Sequence, residues 1–164
     1  MQGTFLLRLC LTAVLTLPTA WAQDDGKSDP KPQELAMQIA AIEANAKLVQ
    51  DRIGVTSGVD FNFTPESVKW LDGFIERTRT GVTNPAGLTQ VLGSYLGEAI
   101  RKRYNCAWMR GGSLECDAGF FVHPFNKVAK QLANGSEDSI YSLYENIPAL
   151  LAKHRDENTA TKKR

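Results

Sequence analysis

At 164 residues, 43% of them hydrophobic, the chain is long enough to bury an ordinary core and short enough to be one domain. Its 19 basic and 18 acidic residues give a net charge of +1, far from the basic excess that phosphate neutralisation demands, so a nucleic-acid partner is not expected. Two histidines at no ligand spacing leave little material for a metal cluster.

The N-terminus has the pattern of an export signal. Arg8 precedes an apolar run of nine residues, Leu9 to Leu17, followed by Pro18 and the small-x-small end Ala20-Trp21-Ala22. A membrane span needs about 20 consecutive apolar residues, and neither this run nor any later one comes close, so no stable membrane insertion is expected. Cys10 lies inside the run, ahead of the expected cleavage point, and is a poor lipidation site. Removing residues 1–22 takes away one base and no acid, leaving 18 of each and a mature net charge near zero. The expected location is the periplasm or the medium.

Residues 23–33 are polar and contain proline, as a linker does. Residues 34–53 then place Leu35, Ile39, Ile42, Ala46, Val49 and Ile53 at spacings of 4, 3, 4, 3 and 4, the seam of a first helix. That seam fits docking onto its own domain, chiefly helices two and three. A heptad stripe of this kind also suits an arm pairing with a second copy, which is the alternative to a monomer. Thr64-Pro65-Glu66 supplies a cap hydroxyl, a proline at the first helical position and an acidic first turn, so a second helix runs from there to about Thr80-Gly81. Asn84-Pro85 repeats the start signal for a third helix, in which Leu88, Val91, Leu92, Tyr95, Leu96, Ala99 and Ile100 form the most regular stripe in the chain and place it at the centre of the core. Gly93 and Gly97, one turn apart beside that stripe, would let another segment approach closely.

Two strand-compatible segments, Asn105 to Arg110 and Leu114 to His123, flank Gly111-Gly112-Ser113 and read as a β-hairpin. Pro124 opens a fourth helix with Phe125, Val128, Ala129 and Leu132 on one face, closed at Asn134-Gly135 by a left-handed cap. Ser136-Glu137-Asp138 starts a fifth, containing Pro148, and residues 154–164 read as a solvated, disordered tail. In a hairpin centred on Gly111, Cys106 and Cys116 stand opposite each other. An oxidising compartment would keep a disulfide between them, and their spacing lacks the C-x-x-C arrangement of a redox-active pair.

Three segments, WLDGFIERTR (residues 70–79), LGSYLGEAIRKRYNCAW (92–108) and HPFNKVAKQLANGSEDSIYSLYENIP (123–148), together resemble a family of small bacterial domains of unknown function. That family combines a Gly-Glu helix, a Trp-bearing strand, a Pro-Phe-x-Lys-Val helix and an Asn-Gly-x-x-Asp-Ser turn. The likeness covers residues 70–148, leaves out the first helix, and implies a compact α+β unit with no assigned catalytic residues. The cysteine pair departs from the family pattern.

Chemistry is sparse. Glu98 borders the main apolar stripe with Arg101 and Lys102 three and four residues on, the spacing of ion pairs. An acid–base role would need a second positioned group that the sequence does not name. His123 reads as a strand-end residue, and Gly111-Gly112-Ser113 as a turn. Glu115 and Asp117 should share the strand face opposite Cys116. Trp70, Trp108, Phe120, Phe121 and Tyr141, each taken singly, are expected in the core; as a set, the hairpin residue Trp108 together with Met109 and Arg110 forms the candidate contact surface, with core burial the alternative for Trp108.

The expectation is therefore a helix-rich α+β domain over 34–153 with about five helices and one β-hairpin, stapled by Cys106–Cys116. No catalytic, cofactor or metal residues are assigned. The expected role is an exported protein-binding module. The alternatives are an inhibitor or immunity protein against a toxic or lytic enzyme of the envelope, and a hydrolase using Glu98.

Overall fold

The computed structural model describes residues 30–117 and 119–162. The expected signal peptide, 1–22, and most of the expected linker lie outside the described residues. Residues 30–33, expected in the linker, are the first turn of helix α1, Pro30–Val49. It continues through a π-helical segment, Gln50–Gly54, and a last turn, Val55–Ser57.

The next two helices start where cap chemistry places them. Thr64 Oγ1 accepts from Ser67 N at 3.2 Å and opens α2, Pro65–Thr78, which tightens into a 3₁₀ turn, Arg79–Gly81. Asn84 Oδ1 accepts from Gly87 N at 2.9 Å and opens α3, Pro85–Tyr104. Asn105, at φ 53°, ends α3 in the left-handed conformation that asparagine tolerates.

Every residue of α3 from Leu92 to Ile100 is buried, so this helix is surrounded rather than amphipathic. Burying Leu92, Leu96 and Ile100 contributes about 1.5–3 kcal/mol each, a sum comparable to the net stability of a small domain. The other elements are arranged around it: α1 lies along one side through Ile42, Ala46 and Val49 and α4 along another, while α2 packs mainly on α5. The first helix therefore rests on α3, not jointly on α2 and α3 as its stripe suggested.

The β segment holds one more strand than a hairpin. β1 (Ala107–Trp108), β2 (Leu114–Asp117) and β3 (Phe120–Val122) form an antiparallel sheet in the order β1-β2-β3. The β1–β2 register, Ala107 opposite Glu115 and Trp108 opposite Leu114, is the one centred on Gly111. Gly111 and Gly112 both take positive φ, 78° and 77°, which the turn requires and a side chain would resist. The segment read as one strand, Leu114 to His123, reverses at Gly119, with a register shift between Glu115 and Asp117.

Helix α4, Pro124–Asn134, is followed by a 3₁₀ turn, Gly135–Asp138, and by α5, Ile140–Lys162. Gly135 has positive φ, 79°, but ψ −148° takes it out of the left-handed helical region expected of the cap. Ser136 to Asp138 do not start α5. Its first N–H groups are met by three other residues: Ser139 Oγ accepts from Ser142 N at 3.0 Å, Gln131 Oε1 from Ile140 N at 3.0 Å, and Asp72 Oδ1 from Tyr141 N at 3.1 Å. Residues 154–162, expected to be a disordered tail, continue α5. Arg155 pairs with Asp117, and His154 packs on Phe120 at 5.6 Å between ring centroids.

Candidate functional site

Glu98 is 3% exposed on the central helix, and its carboxylate is fully engaged. Arg101 reaches it with both arms, Nε to Oε1 at 2.8 Å and Nη2 to Oε2 at 2.9 Å, and the indole Nε1 of Trp108 donates to Oε1 at 2.8 Å. Burial alone would push the carboxyl up. The hydrogen bonds from Arg101 and Trp108, with the charges of Arg101 and Lys102, outweigh it and hold Glu98 below the ordinary glutamic acid range. An ionised carboxylate with a lowered pKa is a poor proton donor at neutral pH and a weak base, so this geometry suits a structural ion pair. Beside it lies a hollow of about 230 Å³ lined by Glu43, Phe63 and Lys102, where the Lys102 ammonium sits 3.7 Å from the Phe63 ring centroid.

Trp108 is 5% exposed and so is not part of a contact surface. Its ring lies where a Cβ on Gly97 would be, 2.2 Å from Cη2, and the Phe125 ring takes the corresponding place at Gly93, 2.5 Å from Cδ1. The two glycines of α3 thus admit a strand tryptophan and the start of α4. Of the other two residues of the expected surface, Met109 is half-buried and Arg110 exposed. Met109 N donates to Ser113 O at 2.9 Å and closes the turn. Behind the turn the disulfide joins Cys106 to Cys116 with Cα atoms 4.0 Å apart, as the register requires.

The aromatic residues divide clearly. Trp70 is half-buried, stacked on Phe74 at 5.6 Å and edge-on to Phe61 at 5.4 Å. Phe120 and Tyr141 are also half-buried. Phe121, 46% exposed, is the one of the set that faces solvent, and it stands opposite Glu115 on the outer side of the sheet. Glu115, half-buried, accepts from Gly119 N at 3.2 Å.

Phe121 forms part of a groove of about 360 Å³ between β3, α4 and α5. Phe120 and Leu143 line it with Leu150, which is 39% exposed, and His123, Lys127 and Lys130 stand along the α4 side. Lys127 is tied to Asp138 at 3.0 Å. A second groove, about 450 Å³, lies between the start of α3 and the end of α4, with Val82, Pro85, Ala86 and Leu132 as apolar walls and Arg79 at its edge. Both volumes are within the usual range of ligand sites, about 300–1,000 Å³. Sequence reasoning had Phe121 in its aromatic set but not the groove, whose walls come from segments up to about thirty residues apart.

Among the described residues no group of three or more His, Cys, Asp and Glu side chains is placed to hold a metal ion, and no helix is long and apolar enough to cross a membrane. In comparisons with known proteins the chain matches no family model, no curated protein and no solved structure.

Proposed function

We propose that this protein is an exported, non-catalytic module that binds another protein through the exposed side of its small sheet. The observation that carries the reading is where polar and apolar groups are committed. The best acid–base candidate, Glu98, spends its carboxylate on Arg101 and Trp108, whereas Phe121 and Leu150 stay exposed around one groove. Exposed aromatic and aliphatic groups gathered at a concave surface are the usual anchors of protein contacts. Export is supported by the leader pattern of residues 1–22 and by a disulfide of the kind that persists outside the cytosol.

The test is cross-linking in the native cell followed by recovery of the tagged chain. A stoichiometric protein partner should be recovered with wild type and with Glu98→Gln. A Glu98→Gln chain that folds normally but loses the cellular phenotype, with no partner recovered from either form, would overturn the reading in favour of catalysis.

A further inference from the structure

We infer that the partner is bound as an extended, acidic segment that adds a fourth strand along the outer edge of β3. This rests on the binding-module reading and gives it a site and a ligand chemistry. β3 is the last strand of the sheet, and among the described residues no backbone or side-chain hydrogen bond reaches Phe120 to Val122 from its outer side. An unpaired edge offers N–H and C=O groups in register for a further strand, and proteins that do not use such an edge usually cover it or place charges on it. Here the strand is Phe120, Phe121 and Val122, of which Val122 is buried, Phe120 is half-buried against His154 and Phe121 is exposed, and the space beside it is the groove of about 360 Å³.

The groove also limits the ligand. Its far wall is apolar, with Leu143 and Leu150, so alternate side chains of an added strand would find an apolar surface. Its α4 side carries His123, Lys127 and Lys130, and none of the lining side chains is acidic. Lys127 already neutralises Asp138, so Lys130, exposed on the same side, provides the electrostatic preference. An extended segment alternating apolar with acidic residues matches both features. β3 is only three residues long, so the ladder hydrogen bonds are few and the side-chain anchors Phe121 and Leu150 carry much of the affinity.

The experiment pans a random peptide library against the purified, disulfide-bonded mature chain and measures the enriched peptides by titration calorimetry and amide hydrogen exchange. Enriched sequences should alternate apolar and acidic residues and slow exchange at Phe120 to Val122. Phe121→Ser and Lys130→Glu should each weaken them about tenfold or more, and Arg110→Ala should leave them unchanged. Both of the first two substitutions are at exposed positions, so circular dichroism should match wild type.

The site assignment is overturned if no peptide is enriched, if enriched peptides lack acidic residues, or if they bind Phe121→Ser as well as wild type. It is equally overturned if sedimentation shows a dimer that Phe121→Ser abolishes, since a second copy would then hold the edge. A native partner that still captures Phe121→Ser would remove this site and leave the binding reading standing, whereas failure of that reading shows as no partner at all.

Discussion

The carboxylate of Glu98, in the middle of α3, accepts a 2.8 Å hydrogen bond from the indole of Trp108 on β1 while Arg101 grips it from one turn further along its own helix. This ties the sheet to the central helix through a buried charge. Such a charge is costly when a partner is removed, because the remaining group is left desolvated and unpaired. Glu98→Gln should therefore destabilise the fold by about 1.5–3 kcal/mol at neutral pH.

The deficit should depend on pH with a definite sign. Glu98 has its pKa lowered in the folded state from the ordinary 4.5. The ionised form's contribution is thus fully present above that value and is lost as pH falls through the lower, folded value. Urea unfolding of wild type and Glu98→Gln at a series of pH values should show the gap between them constant near neutrality and shrinking below 4.5. Asp138, also lowered, titrates in both proteins and cancels in the difference. A gap that stayed constant into strong acid would mean that the bonds to Arg101 and Trp108 do not depend on the charge.

Cys106–Cys116 closes a small loop, with a sequence separation of 10. On chain-entropy grounds its stabilisation is somewhat under the ~3 kcal/mol expected for fifteen residues. Replacing both cysteines by serine should lower stability by up to that amount and leave helical circular dichroism unchanged, since α3 is held mainly by its contacts with α1 and α4. Non-reducing peptide mapping of protein purified without reductant should find the two cysteines joined within one chain; free thiols there would remove the staple.

What the sequence reveals and what it conceals follow from the range of the interactions. Thr64-Pro65 and Asn84-Pro85 mark helix starts because a cap acts over three residues. The Cys106–Cys116 pairing follows from two glycines that set the turn and a strand period of two. The same period puts Trp108 on the face of Cys106, and Gly97 beside Glu98 supplies the space and the acceptor it needs. Its burial is therefore legible in the sequence, and of the two places open to it, core and turn surface, the structure shows the core. β3 was hidden because the reversal at Gly119 and the register shift beside Cys116 interrupt a segment that looks continuous. The start of α5 was misplaced because its cap comes partly from Asp72, 69 residues from Tyr141, which no local pattern reports. The groove beside β3 has the same origin, since it exists only once strand and helices meet.

Gly97 within α3 and Gly81 at the end of the 3₁₀ turn after α2 provide a contrast that separates backbone preference from packing. Alanine is up to about 1 kcal/mol better than glycine within a helix. At position 97, however, its Cβ would lie 2.2 and 2.4 Å from Trp108 ring atoms, and that ring is held by its hydrogen bond to Glu98. Overpacking of this kind costs about 1–3 kcal/mol, so Gly97→Ala should be destabilising on balance. At Gly81 a Cβ meets nothing within 4 Å, and Gly81→Ala should be neutral or stabilising by up to about 1 kcal/mol. Thermal unfolding should come earlier in Gly97→Ala and at the same or a higher temperature in Gly81→Ala; a stabilised Gly97→Ala would show that the Trp108 ring can shift freely.

The first helix decides whether the protein works alone or as an assembly. Its inner stripe, Ile42, Ala46 and Val49, is buried on α3, and Gln50 Nε2 donates to Phe61 O at 2.6 Å, so α1 belongs to the core and also fixes the loop before α2. Removing it would expose part of the buried surface of α3. Deleting two large aliphatic contacts alone costs several kcal/mol, a large share of the 5–15 kcal/mol that holds a domain of this size together. A chain starting at Gly54 should therefore lose its cooperative unfolding transition and bind hydrophobic dyes. Met37, Leu48 and Val55 lie exposed on the outer side of the same helix, where a pairing arm would make its contacts. The inner seam is already occupied, so a chain that keeps all of α1 should sediment as a monomer at low micromolar concentration. If the full chain were a dimer and the shortened chain a cooperatively folded monomer, α1 would be an assembly arm, and its contact with α3 would contribute little to holding the domain together.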